Sequence, residues 1–318
     1  MAKKRRRGSD APGPAGFLVV DKPAGCTSHD IVDLARRWFG VRKIGHLGTL
    51  DPQATGVLPL AIRGATKLVP FFQDCGKAYV GTIRFGATTN TLDGEGEILS
   101  RYDGPLPDEA TVRSALESFV GEIEQIPPMF SAVKRGGVPL HKLARQGEEV
   151  EREPKKVVIE RLEVVRFESP EVEIVVECGA GTYVRSLADD LGRVLGCGGY
   201  LASLRRLRSD PFDISQAHTV EVCERAVESG GIEALLIPPA IALGLPVVRL
   251  AVPAIERLDH GGDIAAGTLE RSRAGSRVSG LDEEGQFVGI LELRADRRLW
   301  PLRMIPRAET GSDALRPE

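Results

Sequence analysis

Two periods run through the apolar residues of this chain. Phe17-Leu-Val-Val20 is a short continuous apolar run, ended by Asp21-Lys22-Pro23, and predicts a buried strand. Thr27-Ser-His-Asp30 has the form of a capping box, and Ile31, Leu34, Ala35 and Trp38 follow at helical spacing until Gly40 closes the stripe. Residues 77–86 predict a strand with Tyr79, Ile83 and Phe85 on one face, because side chains alternate. Asp93-Gly94-Glu95-Gly96 predicts a turn. It is no phosphate loop, since two acids stand where backbone amides would have to meet an anion. Residues 108–120 predict an amphipathic helix with Val112, Ala115, Leu116 and Phe119 inward, and residues 125–132 a rigid loop. Residues 156–167 and 171–178 predict two strands. Gly181-Thr-Tyr-Val-Arg185 ends the second, and a helix with Leu187, Leu191, Val194 and Leu195 on one side follows. Strands and helices mix without a regular βαβ rhythm, so the expected class is α+β. Near Pro246 a second unit begins, with a helix at 252–258 and three strands split by DEEG and ADRR turns. The expected boundaries are a disordered basic tail at 1–15, a large domain at 16–245, a compact β domain at 246–307 and a disordered tail at 308–318.

Composition narrows the class. The chain has 318 residues, 42% hydrophobic and 27% charged, the balance of a soluble globular protein. No run of eighteen apolar residues exists, so no membrane span is expected, and the basic start lacks the apolar stretch of a secretory signal. The five cysteines stand far apart with no CxxC pair, which predicts neither a disulfide scaffold nor a zinc knuckle and fits a reducing cytosol. Net charge is −3, but its distribution is uneven. Residues 1–70 hold twelve Lys or Arg against five Asp, a surplus of seven. Arg205, Arg206 and Arg208 form a second basic group, and Lys134, Arg135, Lys142 and Arg145 a third. One such group is an ordinary solvated face; three together point toward a phosphate backbone.

Most site chemistries lack their signatures. There is no GxSxG elbow, no Walker or Rossmann glycine pattern, and no ligand spacing among the five histidines. The stretch GHLGTLDPQATGVL (45–58) sets one carboxylate, Asp51, among glycines and aliphatic residues. Asp51 is either a turn residue, since Asp-Pro beside Gly is ordinary turn chemistry, or a reagent. As a reagent it needs a cation to keep it ionised where it is partly desolvated. Arg185 is the best candidate, two residues from Tyr183 at a strand end, so that both can project to the same side. The plainer readings are a core Tyr79, a strand-capping Tyr183, a surface Arg185 and a core Leu204.

Seven stretches then line up in order: FLVVDKPAGCTSHDIV, GHLGTLDPQATGVLPLAI, ATK, KAYVGTIRFGATTNTLDGEGEI, PPMFSAVKRGGVPLHKLARQG, GTYVRSLADDLG and LRRLRS. Together they strongly resemble the bacterial tRNA pseudouridine synthase B family, from about Gly16 to Pro211. The resemblance implies isomerisation of uridine 55 in the TΨC loop of tRNA, with no metal and no cofactor. It makes Asp51 the nucleophile on the target nucleotide, paired with Arg185 of the GTYxR motif. Tyr79 of the KxY motif would lie against the target base and assist proton transfer. Tyr183 and Leu204 would bind substrate, the leucine packing against the uracil, and His46 would contact RNA near the vacated base position. The implied fold is a mixed, largely antiparallel sheet with flanking helices and a cleft, plus a C-terminal PUA-like RNA-binding domain. Phe130 and His141 depart from the family, whose members often carry tyrosine there. The expected partner is the TΨC stem-loop of tRNA, in the cytoplasm, with no membrane; nothing demands more than a monomer. An alternative from another class is a tRNA-binding and folding factor whose site is idle.

Overall fold

A computed structural model describes residues 13–305 except 132, 149, 268, 270 and 271, and excludes the side chains at 134, 139, 141 and 145. The Lys3–Arg7 cluster, the tail after 305 and the side chains of Lys134, His141 and Arg145 therefore lie outside the described residues. In chain order come β1 (Gly16–Lys22), α1 (Ser28–Phe39), β2 (Ile44–His46), β3 (Thr55–Ile62), β4 (Lys77–Phe85), β5 (Ala87–Thr89) and β6 (Ile98–Arg101). Next are α2 (Glu109–Glu117), β7 (Gly121–Gln125), β8 (Lys134–Arg135), β9 (Val138–Pro139), α3 (Leu140–Arg145), β10 (Lys155–Glu168), β11 (Glu171–Cys178) and α4 (Val184–Val194). Then follow β12 (Gly199–Ser209), β13 (Phe212–Asp213), α5 (Val220–Glu228), α6 (Pro239–Leu243), β14 (Val247–Arg249) and α7 (Val252–Asp259). The last strands are β15 (Ile264–Ala265), β16 (Arg277–Leu281), β17 (Phe287–Leu293) and β18 (Arg298–Met304).

The main sheet has the order β1-β3-β12-β4-β11-β10-β7, with β2 on β3 and β13 on β12. Its pairings are antiparallel except β3 with β12. The class is thus the α+β fold expected, a mixed and largely antiparallel sheet with flanking helices. β1 reads as a continuous apolar run because both of its faces are covered. Leu18 and Val20 enter a core shared with α1, α2 and α4. Phe17 and Val19 enter an opposite core, where the Phe17 ring lies 5.1 Å from Phe72 and 5.3 Å from Phe212. A second sheet, β14-β16-β17-β18-β15, closes over α7 with its own core. Ile290 and Ile305 of this unit pack into the Phe17 core, joining it to the main sheet.

The capping box at α1 is formed as the sequence predicts: Thr27 Oγ1 accepts from the Asp30 amide at 3.1 Å and Asp30 Oδ2 from the Thr27 amide at 2.8 Å. Gly40 closes the helix in the left-handed conformation (φ 62°). Two features differ from expectation. Arg185 does not end a strand: Tyr183 is the N-cap of α4 and Arg185 lies in its first turn. Strand alternation is therefore not what aims that side chain; the helix start does. The LRRLRS stretch, given no element by its spacing, lies in β12. Two register shifts, at Leu201/Ser203 and Arg206/Arg208, break its period of two and hide the strand.

β12 also brings together parts of the chain far apart in sequence. Arg206 faces Tyr79 across β4 and Gly56 across β3. Gly56 has φ +98°, and a Cβ there would lie 2.2 Å from the Arg206 carbonyl oxygen. Only glycine satisfies both constraints. Gly56→Ala is expected to destabilise the protein by at least about 2 kcal/mol in denaturant unfolding. An unchanged midpoint would show that β3 and β12 can separate without cost.

Candidate active site

The loop between β2 and β3 carries Asp51, and it is pinned from three sides. Ser28 Oγ, at the start of α1, donates to the Leu50 carbonyl (2.9 Å) and accepts from its amide (2.8 Å). Lys22, at the end of β1 and fully buried, sends Nζ to the carbonyls of Pro23 (2.8 Å) and Pro52 (2.9 Å). The Gly25 amide reaches the Pro52 carbonyl at 3.0 Å. Burial lowers the Lys22 pKa, and nearby acidic groups, Asp51 among them, oppose the fall. The turn reading of Asp51 is thus true as well: its carbonyl accepts from the Ala54 amide at 3.1 Å.

Arg185 projects into the cleft from α4. Nε lies 3.0 Å from Asp51 Oδ2 and Nη1 3.5 Å from Asp93 Oδ2. Nη1 also donates to the Thr91 carbonyl (3.0 Å) and Nη2 to the Phe130 carbonyl (2.8 Å). The guanidinium is nearly closed off, with 6% of its side chain exposed, while 42% of the Asp51 side chain is open. Asp51 is not the lone carboxylate that its flanking sequence suggests, because Asp93 and Glu95 line the same cleft. Asp93 is already engaged: Oδ1 accepts from Thr91 Oγ1 (2.5 Å) and from the Glu95 amide (3.1 Å). Glu95 Oε1 accepts from Gln53 Nε2 (2.8 Å), and among the described residues Asp51 Oδ1 has no hydrogen-bond partner. Burial pushes its carboxyl above the usual aspartate range; Arg185 opposes this, and Asp93 and Glu95 add to the rise.

The cleft, about 800 Å³ in volume, brings together Asp51, Tyr79, Tyr183, Arg185 and Leu204. Tyr79 comes from β4 and Leu204 from β12, strands that are neighbours in the sheet. Gln125 holds Tyr183 at its backbone, accepting from its amide (3.0 Å) and donating to its carbonyl (3.3 Å). His46 is the exception. It sits on β2 opposite Leu60 and is not among the residues lining the cleft. Its Nδ1 is buried without a hydrogen-bond partner, and burial, then the Arg206 cation, lowers its pKa, which keeps the ring neutral.

The second basic group is only partly a surface patch, and its two exposed members are ion-paired. Arg205 forms a two-pronged pair with Asp21, and Arg208 pairs with Glu177 and Asp210. Arg206 is completely buried and lines the cleft. Nor is the first group all free: Arg36 pairs with Asp33 and Arg63 with Glu233. Sequence reasoning missed Lys22, Asp93 and Arg206 as parts of the site. The acidic turn that carries Asp93 was visible, but its Arg185 partner is distant in the chain. Among the described residues no cluster of His, Cys, Asp or Glu could hold a metal ion, and no helix is long and apolar enough to cross a membrane.

Comparison with known proteins adds a context for this geometry. Residues 36–184 match the family described as "TruB family pseudouridylate synthase (N terminal domain)", and residues 185–238 match "tRNA pseudouridylate synthase B C-terminal domain". The chain is 44% identical over 296 residues to "tRNA pseudouridine synthase B" of Pseudomonas aeruginosa, covering 92% of this chain and 96% of that protein. The protein of the same name from Geobacter sulfurreducens is 44% identical over 291 residues, covering 90% and 95%. A solved structure titled "Crystal Structure of a Cbf5-Nop10-Gar1 Complex" superposes with a TM-score of 0.65 at 26% identity, over 92% of this chain and 85% of that one. Another, "Structure of H/ACA RNP bound to a substrate RNA containing 2'-deoxyuridine", shares the fold with a TM-score of 0.68 at 23% identity, over 96% and 93%.

The electrostatic account has a direct check. A ¹³C NMR titration of the Asp51 carboxyl should give a midpoint above the usual aspartate value. Glu95→Gln removes a neighbouring anion, so it should move that midpoint down. A midpoint that stays put or rises would show that Glu95 does not act on Asp51.

Proposed function

The chain belongs to the TruB family of pseudouridylate synthases, and from that premise we propose that it converts uridine 55 in the TΨC loop of tRNA to pseudouridine, with Asp51 as nucleophile on a flipped-out base. It is a tRNA pseudouridine synthase, an isomerase whose partner is RNA. The observation that carries the residue assignment is Asp51 itself: ion-paired on one oxygen, free on the other, and open to a cleft walled by Tyr79, Tyr183 and Leu204.

The reaction breaks the C1′–N1 bond, turns the uracil and joins C5 to C1′. No atom is lost and no electron is gained or lost overall, so one carboxylate that is returned unchanged suffices. Arg185 holds that carboxylate ionised and aimed. In a partly dry cleft their pairing matters more than it would in water. Tyr79 and Leu204, from adjacent strands, suit the two sides of a flat ring and keep the detached base from escaping. Tyr183, fixed at its backbone by Gln125, closes the cleft beside Arg185. His46 would act on RNA from outside the cleft, through a polar contact of a ring that burial disposes against carrying charge.

The target base is stacked in a folded loop, and extruding it costs on the order of a few kcal/mol. Phosphate contacts offset this, and with two basic groups partly neutralised they fall mainly on the remaining exposed cations and on the PUA-like second sheet. A single chain supplies every cleft residue named here, so the reading is of a monomer. The five unpaired cysteines suit a reducing cytoplasm.

The decisive experiment incubates an unmodified tRNA transcript with the wild type and with Asp51→Asn and measures pseudouridine. The asparagine variant should bind the transcript and give no product; retained turnover would remove Asp51 as nucleophile. Wild-type binding without product would favour the idle tRNA-folding factor instead. Arg185→Lys should keep binding but lose at least about 10²-fold in turnover, because a point charge replaces a planar fork holding Asp51, Asp93 and two carbonyls. Affinity for tRNA should fall with added salt. An affinity equal at low and high salt would mean that phosphate contacts carry little of the binding.

A further inference from the structure

Arg206 is the one arginine of the site whose partners include no acid. Its side chain is wholly buried. Nε donates to the Val57 carbonyl (2.7 Å) and Nη2 to the Gly48 carbonyl (3.1 Å), and across the sheet Arg206 is the direct partner of Tyr79, which lines the same cleft. No carboxylate among the described residues lies within ion-pairing distance, in contrast to Arg185, Arg205 and Arg208. Its charged neighbour Lys77 is another cation that lines the cleft, and Nζ of Lys77 meets only the Cys75 carbonyl, at 3.1 Å. A buried cation without a counter-ion costs several kcal/mol relative to water. Two carbonyl dipoles solvate it in part. The charge itself remains uncompensated, at the wall of a cleft where charge must develop during reaction.

Resting on the pseudouridine synthase reading, we propose that Arg206 is a positioning residue for Tyr79: it polarises the phenol, whose proton is then donated as a hydrogen bond to the uracil anion that leaves C1′. When the C1′–N1 bond breaks, its electron pair goes to the uracil, and one negative charge spreads over N1, O2 and O4. In this arrangement an Arg206 N–H turned to the phenol oxygen leaves the phenolic hydrogen for the cleft. A donor prepared in this way stabilises the departing anion more than the neutral base bound before it. No proton need leave Tyr79. When C5 attacks C1′, an electron pair of the uracil forms the new bond and the Asp51 carboxylate leaves C1′ with its own pair; loss of the C5 proton then returns the C–H pair to the ring and balances the proton gained at N1. The backbone supports this placement, since Arg206 and Tyr79 are direct partners across β12 and β4 and Leu204 lies on the same strand as Arg206. The plainer view makes Arg206 a strut between β3 and the Asp51 loop. The two views differ in their dependence on the leaving base.

The test compares single-turnover loss of the C1′–N1 bond in tRNA carrying uridine or 5-fluorouridine at the target. Fluorine makes the detached base a weaker base that needs less stabilisation. Arg206→Met should slow the uridine substrate by about 10²-fold and the fluorinated one by at most about tenfold. Arg206→Lys, which keeps the charge, should recover part of the uridine rate. Equal deficits on both substrates would make Arg206 a strut and overturn the proposal. If circular dichroism shows both Arg206 variants unfolded, Tyr79→Phe decides by the same comparison, and equal deficits there overturn it too. If the wild type breaks the bond in neither RNA, the synthase reading fails and takes the proposal with it, whereas wild-type turnover with equal variant deficits sinks the proposal alone.

Discussion

A guanidinium that is almost completely buried has to find partners for its donors, and that constraint organises this protein. Arg185 meets it with the Asp51 and Asp93 carboxylates and the carbonyls of Thr91 and Phe130. These partners come from three separate loops. Arg185 ties the three together at the cleft. Breaking such a network leaves an unpaired charge in a partly dry cleft, which costs far more than an exposed ion pair gains. The start of α4 must therefore sit where it does, and the Gln125 clamp on Tyr183, one residue before the helix, holds it there.

Charge is distributed unevenly around the cleft. Asp51, Asp93 and Glu95 stand near Arg185, while among the described residues Arg206 and Lys77, beside Gly48, form no ion pair. Burial raises the Asp51 pKa, Arg185 opposes the rise, and Asp93 and Glu95 add to it. Burial, and then the Arg206 cation, lowers the pKa of Lys77 and of His46. An arrangement of this kind is poor for stability. It suits a reaction in which a carboxylate attacks at one end of a bond and an anionic base departs at the other.

Much of the fold was legible because its determinants are local. The capping box of α1, the two-face burial of β1 and the alternation of Val172, Ile174 and Val176 in β11 follow from side-chain chemistry over a few residues. β12 was not legible, since its two register shifts scramble the alternation that identifies a strand. The basic group at its centre was misread for a related reason. A run of arginines looks the same whether its side chains are free in water or, as here, paired with an aspartate and a glutamate at the surface and with two backbone carbonyls inside.

By itself the sequence determined which residues this protein has for chemistry: the Asp51-Pro52 turn set in apolar surroundings, a GTYVR stretch, and no metal or nucleotide motif. Its ordered motifs also pointed to the family. The sequence did not determine that Asp51 has acidic neighbours, that His46 stands off the cleft, or that Arg206 is buried behind Tyr79. Those facts depend on strand register and on where α4 begins, and hence on contacts between residues far apart in the chain. Burial and charge pairing set the reactivity of a side chain, and both are properties of its neighbours in space.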